Sequence, residues 1–227
     1  HGMIKNISNL GDAAVYCDFG SEIDIKINTN VINFFKSVKK SNIEGITNLA
    51  PSYNKLIITF DLAKTNYLKI KKDIENLKIL NLDKSEFKKI EIPICFDESF
   101  ALDIDRINKK LNLTKEEIIN THLNKEYFCY MTGFIAGMPF LGDINEKLRL
   151  NRLETPRVKV PKGSIGLTEQ FCNIYTFESP GGWNIIGNTP IKIFDKHNER
   201  QPTRINPGDK VKFFEISKQE YMDWNDK

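Results

Sequence analysis

The chain has 227 residues, 40% of them hydrophobic, with 13 glycines and 9 prolines, enough for a buried core in one large or two modest domains. A formal charge of +3, from 33 basic and 30 acidic side chains, is too weak a bias to point to nucleic acid, and no window approaches the roughly 18–20 apolar residues of a membrane span. Cys17, Cys95, Cys129 and Cys172 lie far apart without a Cys-x-x-Cys pair, which argues for free thiols in a reducing cytoplasm and against structural zinc.

The start has no apolar signal-peptide core, and His1–Gly2 before Met3 reads as a cloning or cleavage scar. Gly11–Asp12 is a turn signal leading into a strand at 13–19, with an extra short strand expected at 5–10. Asn28, Thr29 and Asn30 offer capping oxygens for a helix at 31–40, where Val31, Phe34, Phe35 and Val38 recur at helical spacing. Strands follow at 43–49 and 55–61, joined by a turn at Pro51–Asn54. Tyr67, Ile70, Ile74 and Leu77 give a second amphipathic helix from residue 64, and 88–96 returns as a strand. The order β-α-β-β-α-β, with the extra strand, describes a two-layer α/β sandwich over residues 3–90. Asp12, Asp18 and Asp61 sit at strand ends, where carboxylates cap backbone amides.

A second domain is expected over 91–227. It begins with helical signals: Ile104, Ile107 and Leu111 share one face, and Thr114 with Glu117 fits a capping box for a helix ending near His122. Beyond Tyr127 the chain breaks into short strands at 126–134, 157–161, 164–167, 171–177, 183–187, 190–194 and 211–216. Pro–Gly and Ser–Pro–Gly–Gly turns separate them, so the region reads as a barrel or sandwich and the whole chain as α+β.

Candidate chemistry is sparse. There is no GxxxxGK[ST] phosphate loop, and Gly163-Ser164-Ile165-Gly166 has only part of the spacing of a nucleophile elbow. His122, at a helix C-terminus, points either into a groove, as a general acid/base or anion contact, or toward solvent. Arg157 follows Pro156 in a turn, and its planar guanidinium suits bidentate capture of a carboxylate, with Lys159 and Lys162 close in sequence. Met138, Phe140, Leu141, Phe171 and Trp183 fit a core or an interface better than cofactor contacts. No metal-ligand cluster is evident.

Spaced Gly, Pro and Arg elements at 11–20, 22–28, 51–56, 92–95, 133–142, 155–157, 160–166 and 179–195, with the helix ending in His122, carry a resemblance over nearly the whole chain. The chain resembles the family of KipI and the 5-oxoprolinase B subunit, also called allophanate hydrolase subunit 1. That resemblance implies a cyclophilin-like β-barrel second domain. It also implies a cytoplasmic component of an ATP-dependent 5-oxoprolinase complex that opens 5-oxo-L-proline to L-glutamate, alongside a C-subunit homologue and a LamB/YcsF-type A subunit. One branch of the family instead inhibits a sporulation sensor histidine kinase, and that is the alternative. Carried over by position, His122 and Arg157 are the expected catalytic residues. Met138, Pro139, Phe140 and Gly142 are expected to line a ligand or interface cleft, together with Lys162, Gly163, Ser164, Phe171 and Cys172. Two departures stand out: Ala136 replaces the family's proline, and Phe171-Cys172-Asn173 replaces Gln-Thr-Gly, removing polar groups available to a small ligand.

Overall fold

The computed structural model describes residues 3–80 and 87–225. The chain divides into two compact units, His1–Glu86 and Phe87–Lys227.

The first unit pairs β1 (Asn6–Asn9), β2 (Ala14–Asp18), β3 (Ile46–Pro51) and β4 (Lys55–Phe60) in an antiparallel sheet of order β1-β2-β4-β3. Alternate residues Val15, Cys17, Leu56, Ile58 and Phe60 point to one face. There they meet Val31, Phe34 and Val38 of α1 (Ile25–Ser41) and Ile70 and Ile74 of α2 (Tyr67–Glu75), forming one core. Helix α1 starts well before residue 31 because Asp24 is the cap, accepting the N–H groups of Lys26 and Ile27 at 2.7 and 3.2 Å. Asn28, expected to cap, is instead buried within the helix and donates through Nδ2 to the carbonyl of Tyr53 at 3.1 Å.

The strand expected to close this unit does not. β5 (Lys89–Ile94) runs parallel to β13 (Lys210–Glu215) in a seven-stranded sheet of the second unit. Its apolar residues Ile92 and Ile94 are buried in that unit's core, so the layout within the first unit is β-β-α-β-β-α. A boundary at 90 would cut this strand.

The second sheet also contains β6 (Glu126–Thr132), β7 (Pro139–Gly142), β9 (Ser164–Thr168), β10 (Phe171–Ile174) and β12 (Asn184–Asn188), in the order β12-β9-β10-β7-β6-β13-β5. It curls until its edges meet: Cys95, just after β5, exchanges backbone hydrogen bonds with Asn188 at 2.9 and 3.1 Å. Inside pack Tyr127, Cys129, Leu141, Ile165, Leu167, Cys172 and Phe213, with Ile107 of α3 (Ile104–Leu111) and Ile118 of α4 (Lys115–Leu123). A ribbon of β8 (Arg157–Val160) and β11 (Ser179–Gly181), a 3-10 turn at Glu146–Leu148 and a short helix α5 (Lys218–Met222) complete the described elements. Pro139–Gly142, outside the strands expected from the sequence, forms β7. The apolar run at 190–194 forms no strand of its own; only Phe194 bridges, to Thr203.

Candidate functional site

Arg157 opens β8, and Asp103 immediately precedes α3. The guanidinium meets the carboxylate twice, Nη1 to Oδ2 at 2.6 Å and Nη2 to Oδ1 at 2.7 Å. The Asp103 side chain makes no capping hydrogen bond to its own helix. Its Oδ2 accepts the Ile185 N–H at 2.7 Å, and its own N–H donates to the Ile185 carbonyl at 2.9 Å. Arg106, one turn along α3, donates to Asn184 Oδ1 at 3.0 Å. Arg157 thus clamps a carboxylate, as its chemistry suggested, but the carboxylate is the protein's own. The pair ties α3 and β8 to β12.

His122 is in α4, which Thr114 and Glu117 start with the expected capping box. The imidazole is fully buried, 4.6 Å from the Phe213 ring and 5.3 Å from Tyr127, with Phe96 edge-on at 6.2 Å. Its Nδ1 shares a 2.8 Å hydrogen bond with the Tyr127 hydroxyl, and Nε2 has no hydrogen-bond partner among the described residues. Burial pushes its pKa down to about 3, so it is neutral at physiological pH. This placement puts His122 in the core, neither in a groove nor toward solvent, with its Nδ1 on the Tyr127 hydroxyl.

The expected cleft residues separate into two groups. Pro139, Phe140 and Gly142 on β7 lie beside Phe171 and Cys172 on β10, with Asn173 opposite Phe140. Strand alternation sends Leu141 and Cys172 into the core and Phe140, Phe171 and Asn173 to the opposite face. There Phe140 packs edge-on to Trp183 at 5.8 Å and to Phe171 at 6.4 Å, while Tyr130 meets Phe171 at 5.6 Å. Asn173 Nδ2 reaches Met138 Sδ at 3.4 Å, but its Oδ1 and the nearby Thr168 Oγ1 are buried without hydrogen-bond partners among the described residues. Asn173 and Trp183 pack directly against residue 166, which only glycine allows. A Cβ there would sit 2.7 Å from Asn173 Oδ1 and 2.8 Å from Trp183 Cβ. Cys172 is an inert thiol, its pKa raised by burial, and the other three cysteines are likewise free and buried.

Lys162, Gly163 and Ser164 lie elsewhere, at the end of the sheet where β9 begins and its antiparallel neighbours β10 and β12 end. Lys162 and Gly163 join Tyr175, Thr176, Thr189–Lys192, Ile193 and Tyr221 around an open pocket of about 300 Å³. Asn188 braces it, donating through Nδ2 to the Lys162 carbonyl at 3.0 Å and accepting the Tyr221 hydroxyl at Oδ1 at 2.7 Å. Gly163 has φ +84° and approaches so closely that a Cβ would meet Asn188 Oδ1 and the Thr189 carbonyl at 2.6 Å; no other residue fits there. Among the described residues, no group of three or more His, Cys, Asp and Glu side chains is placed to hold a metal ion.

The family model for the carboxyltransferase domain, subdomains C and D, matches residues 5–205. The chain is 31% identical to the B subunit of 5-oxoprolinase from Bacillus subtilis, over 95% of this chain and 94% of that one. It is 34% identical to the B subunit of 5-oxoprolinase from Haemophilus influenzae, over 92% of this chain and 96% of that one. The chain belongs to the 5-oxoprolinase B-subunit family. Among solved structures, TTHA0988 superposes with a TM-score of 0.82 at 27% identity, over 90% of this chain and 40% of that chain. Kluyveromyces lactis urea carboxylase shares the fold, with a TM-score of 0.75 at 20% identity, over 95% of this chain and 22% of that chain.

In this member of the 5-oxoprolinase B-subunit family, sequence reasoning overlooked Asp103, Asn188 and Thr189. Asp103 carried a faint signal, a carboxylate at the start of an amphipathic helix, but that pattern suggests a cap and not an ion pair with a residue 54 positions away. Asn188 and Thr189 lie in the 179–195 stretch that carries the family resemblance, but nothing in their residue types marked a role. Their roles arise only when β12 is laid beside β9 and brings Thr189 onto Gly163, whose carbonyl accepts the Thr189 N–H at 2.9 Å.

Proposed function

We propose that this chain is the B subunit of an ATP-dependent 5-oxoprolinase, which opens the lactam of 5-oxo-L-proline to give L-glutamate. The observation that carries this reading is identity of 31% and 34%, across nearly the full length of both partners, to proteins named as 5-oxoprolinase B subunits. A lactam carbonyl is a poor electrophile, and ATP supplies the activation that water alone lacks. We assign ATP use to the assembled complex of this chain with a C-subunit homologue and a LamB/YcsF-type A subunit in the cytoplasm. The curled second sheet is, in this reading, a cyclophilin-like barrel that serves as a binding scaffold. Arg157 acts by holding α3 in place, and His122 by packing.

The test is reconstitution. The chain is co-expressed with the C-subunit homologue, the complex is isolated, the LamB/YcsF-type protein is added, and ATP-dependent loss of 5-oxo-L-proline is measured. Turnover that needs all components supports the proposal. A well-formed complex without turnover overturns it. Tight association with a sensor-kinase dimerisation domain, with no requirement for the C-subunit homologue, overturns it in favour of a kinase inhibitor.

A further inference from the structure

We infer that the pocket at the start of β9 binds a small organic carboxylate, with Lys162 as its charged contact. Among the described residues, the charged side chains lining it are Lys162 and Lys192, both cationic. Lys192 already faces Asp195 at 3.8 Å, in a half-exposed pair that is worth little. Lys162 is not engaged by any carboxylate among the described residues, and it is carried on a turn that Asn188 holds rigid. Thr189 is 3% exposed; its Oγ1 accepts the Ile191 N–H at 3.3 Å, which leaves the hydroxyl proton to donate to a ligand oxygen. Pro190, Ile191 and Ile193 supply an apolar wall, and about 300 Å³ is at the small end of ligand sites.

The backbone at Gly163 disfavours phosphate. Phosphate sites are typically built from unpaired amide N–H groups. Around Gly163 three amides are spent: Gly163 N–H donates to the Tyr175 carbonyl at 2.8 Å, Ser164 N–H to the Pro161 carbonyl at 3.1 Å and Thr189 N–H to the Gly163 carbonyl at 2.9 Å. The Lys162 ammonium, with the weakly paired Lys192 beside it, one hydroxyl and an apolar wall suit a carboxylate on a compact ring or alkyl body. The wall at Tyr221 is also fixed. Its ring packs 4.4 Å from Phe100, and Lys218 of the same helix reaches Ser99 Oγ at 2.5 Å and lies 4.4 Å over the Phe100 ring. The pocket is formed before any ligand arrives.

Identifying that carboxylate with 5-oxo-L-proline rests on the function proposed above. The experiment is titration of the ¹⁵N-labelled full chain with 5-oxo-L-proline, 2-pyrrolidinone (the same lactam without its carboxylate), L-glutamate, cyclopentanecarboxylate and inorganic phosphate. Saturable shifts at residues 162–163 and 189–193 with 5-oxo-L-proline, and at least tenfold weaker binding of 2-pyrrolidinone, are expected. Lys162→Met is expected to weaken carboxylate binding about tenfold with an unchanged Tm, and Lys162→Arg to restore most of it. Equal binding of the neutral lactam, preference for phosphate, shifts elsewhere, indifference to Lys162→Met or no carboxylate binding overturns the inference. Binding of cyclopentanecarboxylate or L-glutamate but not 5-oxo-L-proline upholds the carboxylate pocket and counts against the substrate. The reconstituted assay judges the enzymatic function separately, so the two failures remain distinguishable.

Discussion

At the scale of single residues, His122 shows how burial overrides side-chain chemistry. Its folded pKa of about 3 lies below the ordinary value of 6.5, so the unfolded chain binds a proton over an interval in which the native chain does not. Stability therefore falls as pH drops from about 6.5 toward 3, at about 1.4 kcal/mol per pH unit, or about 2 kcal/mol between pH 7 and pH 5. His122→Phe keeps an aromatic ring but cannot titrate, and it leaves the Tyr127 hydroxyl only the backbone carbonyl of residue 122, at 3.5 Å. It is expected to cost about 1–3 kcal/mol at pH 7.5 while removing that 2 kcal/mol of pH dependence. Urea denaturation of both proteins at pH 7 and pH 5 measures the difference; an equal loss of stability in both would mean that His122 carries a charge in the folded chain. A histidine near a predicted helix end reads as a functional group because sequence shows its neighbours along the helix. Phe96 and Phe213, which enclose it, are distant in sequence and invisible to that reading.

At the scale of elements, the helices were legible and their anchoring was not. The spacing of Val31, Phe34 and Val38, and of Ile70 and Ile74, gives the buried faces of α1 and α2 directly, and the α4 capping box is local chemistry. The fastening of α3 depends instead on Asp103 meeting Arg157, which propensity and periodicity do not encode. Arg157→Ala would leave the almost fully buried Asp103 carboxylate with the Ile185 N–H as its remaining hydrogen-bond donor among the described residues. A loss of about 2–4 kcal/mol is expected, somewhat below the cost of breaking a fully buried pair because the Arg157 side chain remains 28% exposed. Asp103→Asn with Arg157→Gln, which removes both charges together, is expected to recover part of that loss. Denaturation midpoints of the single and double variants give the coupling. A midpoint for Arg157→Ala equal to that of the wild type would show the pair to be structurally neutral and overturn the anchoring role given to Arg157.

At the scale of the whole chain, what sequence concealed was which sheet a strand joins. Residues 88–96 alternate well enough to read as a strand, and their position after α2 suggests the end of the first unit. β5 instead lies beside β13, more than a hundred residues later, since a parallel pairing needs a long connection and leaves no local turn signal. Its position also matters for closure, because the Cys95–Asn188 bridge that joins the sheet's edges is an extension of β5. The second unit has its own closed set of buried residues, so a fragment comprising 87–227 is expected to fold cooperatively by itself. A fragment comprising 97–227 lacks β5, and with it the fully buried Ile92 and Ile94 and the bridge at Cys95. Truncating an isoleucine in a core costs about 2–5 kcal/mol, so losing two side chains together with a strand ladder removes stability comparable to the roughly 5–15 kcal/mol that a typical domain possesses. Far-UV circular dichroism and urea melts of the two fragments test this. A sigmoidal transition for 87–227 and a non-cooperative one for 97–227 are expected. Cooperative unfolding of the shorter fragment would show that β5 is an appendage to the sheet and not part of its closure.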